Sequence, residues 1–255
     1  DKPINIGTLF MVDALKLMTS IPFFVFIICS ALVCIPLAYY YAYTAVYLPQ
    51  IGFQATASTM ALGQISEIFF MLLVPFFFRK LGVKIMILIG MLAWVARYAL
   101  FAMGAPDQVV WMMLAGVILH GICYDFFFVT GFMYTDNKAP KEVRGQAQAL
   151  LVFFTQGVGM YFGYWIAGSK FEALVQQSDA MSAAIETPTF GFWESFGKMF
   201  LAQKPEVDAS ITQAAMEGWR TFWMFPCFMA LVIAVVFAIT FWDKYKEEDA
   251  NTSDH

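Results

Sequence analysis

Apolar residues along this chain gather into long runs, and the polar stretches between most of them are short. The runs fall at 21–48, 57–78, 85–103, 109–135, 146–168 and 219–242. Each can cover about 30 Å of hydrocarbon as a helix, so the pattern predicts six transmembrane helices. Backbone groups in lipid must be satisfied within a helix or a closed barrel. The ten-residue alternating segments of a barrel do not occur in the sequence. The predicted fold is an all-α membrane protein.

Composition points the same way, since 60% of the 255 residues are hydrophobic and 13% charged, against about 45–50% and about 25% in a soluble domain. The net charge of -4 leaves no basic stripe, which excludes nucleic acid as a partner. Cys29, Cys34, Cys123 and Cys227 lie in apolar runs without a Cys-x-x-Cys pair, so neither a disulfide framework nor a zinc site is predicted. The sequence has no Gly-x-Ser-x-Gly elbow, His-Glu-x-x-His pair or phosphate-binding glycine loop. Its histidines are His120 and His255 alone. The expectation is therefore no enzyme, no cofactor and no metal.

Basic residues mark the side that faces the cytoplasm. With both ends inside, the inner segments carry Lys2, Lys16, Arg79, Lys80, Lys84, Lys138, Lys141, Arg144, Lys244 and Lys246. The short outer loops 49–56 and 104–108 carry none, while the long loop 169–218 has three Lys. Both ends are expected to be cytoplasmic, in a cell (inner) membrane. Residues 1–20 read as a linker with a short surface helix over 5–18, and 21–242 as the membrane domain. Residues 243–255, with Glu247, Glu248, Asp249 and Asp254, read as a disordered tail. The long loop is predicted to hold short helices at 173–185 and 209–217, with Phe190, Phe192, Trp193 and Phe196 as membrane-edge aromatics. The absence of a starting Met predicts a piece of a longer chain.

Charge inside hydrocarbon is costly and marks candidate sites. Glu67, Arg97, His120 and Asp125 fall inside predicted spans. At about 1.5 Å per residue, Glu67 and His120 both sit roughly 15 Å deep, Asp125 roughly 24 Å and Arg97 about 10 Å from the outer edge. Gln64 and Glu67 share a helix face, and His120 and Tyr124 are one turn apart. Two acids and one arginine leave one carboxylate uncompensated. Either Glu67 or Asp125 is the expected proton site, with Arg97 pairing the other acid. Two plainer readings stand beside this, a static buried network and an Arg97 that reaches the interface. Tyr39, Tyr40, Tyr41 and Tyr43 suit a wet wall for a ring-shaped solute or an interfacial belt. Pro36 predicts a kink, and Gly159-x-x-x-Gly163 predicts close helix packing.

Four stretches carry a resemblance. They are Phe76-Phe77-Phe78-Arg79-Lys80-Leu81-Gly82-Val83-Lys84, Trp94-Val95-Ala96-Arg97-Tyr98, Tyr124-Asp125-Phe126-Phe127 followed by Gly131, and Ala139-Pro140 leading to Arg144-Gly145-Gln146-Ala147-Gln148. In order and spacing the chain resembles the nucleoside:proton symporter family of the major facilitator superfamily, over its C-terminal half. The resemblance implies spans seven to twelve of a twelve-helix carrier whose N-terminal six-helix half is a missing partner. Substrate would bind at mid-membrane between the halves, exposed alternately to either side. It implies substrate contacts at Gln64 and Glu67 and the acid of the tenth span at Asp125. The polar pair expected on the seventh span falls at Ala38 and Tyr41, a departure from the family pattern.

The resulting expectation is proton-coupled symport of a nucleoside or similar small hydroxylated solute, with protons and membrane lipid as the other partners. Gln64, Glu67 and His120 would hydrogen-bond the solute, Tyr124 would stack on it and Tyr41 would line the wall. Asp125 or Glu67 would exchange the proton, and Arg97 would pair charge. Arg79, Gly82 and Lys84 would form a cytoplasmic hinge or gate loop. Alternatives are a sensor or assembly subunit that binds without transporting, and a six-helix carrier acting as a dimer.

Overall fold

The computed structural model describes residues 12–186 and 188–243. Most of the expected surface helix over 5–18 lies outside that range; from Val12 there is one helical turn, Val12–Leu15, followed by a 3-10 turn, Lys16–Thr19. The expected tail from 244 onward, with Lys244, Lys246, Glu247, Glu248, Asp249, Asp254 and His255, and Lys2 at the other end, also lies outside the described residues.

Among the described residues five helices are long and apolar enough to cross a membrane: α1 Ile21–Ile51, α2 Thr56–Gly104, α3 Val110–Lys138, α4 Lys141–Phe171 and α5 Ala209–Thr240. α2, at 49 residues, would be roughly 74 Å long if straight. It is not straight. Gly82 leaves helical space at φ 72° and ψ 173°, a region that residues with a Cβ rarely enter. Contacts along α3 show that the two arms run in opposite directions. From the first arm Gly63 lies on His120 and Phe77 on Phe126, while from the second Arg97 meets Gly116 and Trp94 meets Phe127. The polar loop expected over Arg79–Lys84 is therefore a reversal at a single glycine, with helix on either side. Charge at a span end reads as a loop, whereas the turn itself needs one residue of positive φ.

Small residues set the other close approaches. A Cβ on Gly159 would run into the backbone oxygen of Ala31, and one on Gly163 would lie 2.6 Å from Ala38 Cβ, so α4 lies directly on α1. α5 packs on the second arm of α2 through Trp223, whose ring is stacked on Tyr98 at 5.8 Å and edge-on to Phe101 at 5.1 Å. Tyr98 donates to the carbonyl of Pro36, tying the predicted kink site in α1 to that arm.

The two ends of the bundle differ. At one end the long connection between α4 and α5 folds down onto the helix tips. Its helix Val175–Ala184 meets buried Gln50, whose amide nitrogen donates to Ser178 Oγ at 2.9 Å and Ser182 Oγ at 2.8 Å. Trp219 Nε1 donates to Gln50 Oε1 at 2.7 Å, and Gln108 donates to the Gln50 carbonyl at 2.7 Å. The second expected loop helix, 209–217, is instead the first turns of α5, which starts about ten residues before the predicted span because Asp208 caps it through Ser210 N at 2.8 Å. Phe192 and Trp193 lie on the short helix Phe192–Gly197, 75% and 81% exposed. At the opposite end Asp243, the last described residue, accepts from Tyr134 and Lys138, and Lys84 lies over the Trp242 ring.

Large apolar side chains such as Leu72 (77% exposed) and Ile239 (63%) point away from the bundle. Such a coat is costly in water and favourable in hydrocarbon.

Candidate functional site

The site begins at a helix crossing. Gly63, Ser66 and Glu67 lie within about one turn of α2's first arm, and Gly121 and His120 face them from α3. A Cβ on Gly121 would stand 2.5 Å from the Ser66 backbone, so nothing larger than hydrogen separates the two helices there. The Gly121 amide donates to Ser66 Oγ at 2.9 Å, and that hydroxyl donates to the Gly63 carbonyl at 2.7 Å. This lock fixes the relation of the adjoining residues, His120 before Gly121 and Glu67 after Ser66. His120 Nε2 lies 2.7 Å from Glu67 Oε1, and its Cβ, Cγ and Cδ2 sit against the space that Gly63 leaves.

Rings close round the imidazole. Tyr40 of α1 lies nearly parallel to it, with centroids 5.1 Å apart and planes 18° apart. Tyr41 meets it edge-on at 6.1 Å, and Tyr124 lies at 5.8 Å, one turn along α3. His120 is consequently 1% exposed, whereas the Glu67 side chain retains 22%. Expected to bond the solute directly, His120 is instead enclosed by Tyr40, Tyr41, Tyr124 and Gly63; the open group of the pair is the carboxylate. Gln64, one turn before Glu67, is exposed, Tyr41 is 39% exposed and Tyr124 is half-buried. Together these four present an amide, a carboxylate and two phenol rings.

Arg97 stands elsewhere than expected. No acid lies within ion-pair distance of it among the described residues; its Nε donates to the Gly116 carbonyl at 3.0 Å, and its guanidinium lies 4.2 Å over the Tyr40 ring. It is fully buried, so it does not reach the interface either. The reason is its position on the second arm of α2, whose buried face looks to α1 and α3, while Glu67 on the first arm is already taken by His120.

Asp125 is also fully buried, and neither carboxylate oxygen has a hydrogen-bond partner. It opens a widened π-type turn, Asp125–Val129, flanked by buried Phe126, Phe127 and Phe128. Such turns interrupt the regular ladder and recur at functional sites. Arg79 and Lys80 are exposed at the reversal, Gly82 forms it, and Lys84 covers Trp242, so these residues belong to the end far from Gln50 and not to the Glu67 cluster.

Sequence reasoning missed three contributors. Tyr40 was one of four neighbouring tyrosines, and nothing in the run distinguishes the one that touches both Arg97 and His120. The widened turn at Asp125 leaves no mark in the sequence. Gly63 and Ser66 were readable: small residues on one face of a membrane helix let a neighbouring helix approach closely.

Comparison with known proteins bears on the chain as a whole. A family model described as "Nucleoside H+ symporter" matches residues 3–247. The putative nucleoside transporter YegT of Escherichia coli (strain K12) is 34% identical over 239 residues, which cover 93% of this chain and 49% of that protein. The nucleoside permease NupG of the same strain is 32% identical over 124 residues, 48% of this chain and 30% of that protein. A crystal structure of nucleoside transporter NupG superposes over 96% of this chain and 54% of the other with a TM-score of 0.66 at 24% identity, a likeness of fold. The chain thus spans about half the length of YegT.

Proposed function

Because the chain belongs to the nucleoside H+ symporter family, we propose that it forms a six-span body of a transporter that carries a nucleoside or similar hydroxylated solute, with protons, across a cell membrane. The six spans are α1, the two arms of α2, α3, α4 and α5, with both chain ends and the Gly82 reversal on the cytoplasmic side. A second six-helix body faces this one, as the greater length of the relatives supports, and the solute lies between them. The proton gradient is the driving force, and no cofactor takes part.

The observation that carries the reading is the Glu67–His120 pair. A carboxylate within an apolar span is held on one oxygen by a buried imidazole and remains partly open. Charge-assisted hydrogen bonds are strong and directional in a low-dielectric site. Solute hydroxyls or ring N–H groups reaching Glu67 and Gln64 would be recognised by donor geometry, with Tyr124 and Tyr41 against the ring. Proton exchange occurs at Glu67 or at Asp125. Loading a proton removes a charge from the bundle and lowers the cost of reorienting the site through hydrocarbon, which couples proton to solute under alternating access.

Counterflow of labelled uridine in proteoliposomes of the full-length protein, with and without an imposed pH gradient, tests this. Exchange stimulated by the gradient is expected. Binding without exchange would make the protein a sensor and end the transport reading.

A further inference from the structure

Arg97 is an expensive side chain to bury. It is fully enclosed, only Nε makes a hydrogen bond, and neither terminal nitrogen has a partner. A guanidinium stays charged and carries five N–H donors, so its place in the bundle needs a reason. Its main contact is the Tyr40 ring, 4.2 Å away, and the same ring is stacked on His120. The Tyr40 hydroxyl has no hydrogen-bond partner, so Tyr40 is held by its ring and not by its oxygen. The circuit closes on α3. Arg97 Nε is fixed to the carbonyl of Gly116, one turn before His120 on that helix. Gly116, Arg97, Tyr40, His120 and Glu67 therefore link α3, both arms of α2 and α1 into one loop of contacts.

His120 uses one nitrogen only. Nε2 meets Glu67 Oε1, while Nδ1 is buried with no partner. A carboxylate accepts, so the imidazole carries its proton on Nε2. Tilting the ring out of this plane would lengthen the hydrogen bond and break the stack on Tyr40.

We propose that Arg97 is a positioning residue for the Glu67 site: through the Tyr40 ring it holds the His120 imidazole in the plane where Nε2–H meets the carboxylate, the bond that sets the tautomer. The assignment of Glu67 to solute or proton rests on the function proposed above; the positioning of His120 does not. A cation over an aromatic face is attracted by the ring's quadrupole, more so when desolvated. Arg97 thus presses Tyr40 into the position that a bonded hydroxyl would otherwise set.

The test reads the imidazole directly. The purified full-length protein is labelled with 15N-histidine, the His120 signals are assigned by their loss in His120→Gln, and the tautomer is read from the nitrogen shifts. The native protein is expected to show a single Nε2–H tautomer. Arg97→Gln and Tyr40→Leu are each expected to give a mixture of both tautomers, while Tyr40→Phe, which keeps the ring, retains the native form. A single Nε2–H tautomer in both Arg97→Gln and Tyr40→Leu would overturn the proposal, and so would a mixture in Tyr40→Phe. Should Arg97→Gln fail to fold, the two Tyr40 variants decide the matter. In uridine counterflow Arg97→Gln is expected to raise KM about tenfold. Absence of uridine exchange in the native protein would count against the transport function and leave the tautomer result to judge Arg97.

Discussion

Glu67 has two relations at once: one oxygen accepts from His120, and the carboxyl stays partly open. Glu67→Gln keeps the shape and an acceptor for Nε2–H while removing both the charge and the ability to take a proton. Loss of a charged hydrogen-bond partner costs about 1.5–3 kcal/mol, so solute affinity is expected to fall on the order of 10- to 100-fold. If Glu67 exchanges the proton, the variant's residual counterflow no longer responds to a pH gradient; a full response would assign exchange to Asp125. A second residue outside the spans has a legible pH dependence. Ser210 donates to Asp208 through its amide and hydroxyl, and these bonds hold the Asp208 carboxyl below its ordinary value. The cap therefore contributes above the unfolded carboxylate value of about 3.9 and is lost as pH falls through the lower folded value. Asp208→Ala is expected to speed exchange of the Ser210 amide near neutral pH, the two proteins converging as the solution is acidified. The Glu67–His120 pairing was within reach of counting, since equal distance from a span start puts two residues at one level. The partner of Arg97 was not, because it depends on how α1 is rotated about its own axis, and a helix as uniformly apolar as α1 carries no stripe to fix that rotation.

Helix contacts in this bundle rest on hydrogen-sized gaps. At Gly121 an added methyl would meet the Ser66 backbone, which cannot swing aside as a side chain could. Gly121→Ala is expected to push α3 and the first arm of α2 apart, costing about 1–3 kcal/mol as overpacking, and to lengthen the Glu67–His120 contact. A lower unfolding temperature in detergent, with weaker solute binding, is the expected result. Gly145 makes the control, since nothing lies within 4 Å of an added Cβ there; Gly145→Ala should leave stability unchanged or slightly higher. The same physics explains which elements could be read in advance. Gly159 and Gly163 one turn apart announce a packing face, and α4 does lie on α1 through them. The reversal at Gly82 was hidden because its basic neighbours read as a loop, and only the backbone angle reveals that one residue makes the turn. The start of α5 was placed too late because 209–217 read as a separate short helix of the outer connection, whereas the Asp208 cap and the Trp219 anchor on Gln50 join it to the span.

The described residues are asymmetric from end to end. Arg79, Lys80, Lys84, Lys138, Lys141 and Arg144 gather at the end that holds Gly82 and Asp243, while the Gln50 hub and the folded connection 172–208 occupy the other. The orientation proposed above, from the retention of basic loops on the cytoplasmic side, would put the hub outside. Two glycines at opposite ends can check this, because neither Gly191 nor Gly145 has any atom within 4 Å of an added Cβ and both are exposed. The thiols of this chain, Cys29, Cys34, Cys123 and Cys227, are all buried and do not compete for the label. In intact cells a membrane-impermeant maleimide is expected to label Gly191→Cys and to spare Gly145→Cys until the membrane is permeabilised. The reverse pattern would invert the bundle. It would turn the basic end outward, against the charge rule, and would place the Gln50 hub on the cytoplasmic side, so the assignment of inner and outer faces to the Glu67 site would have to be exchanged with it.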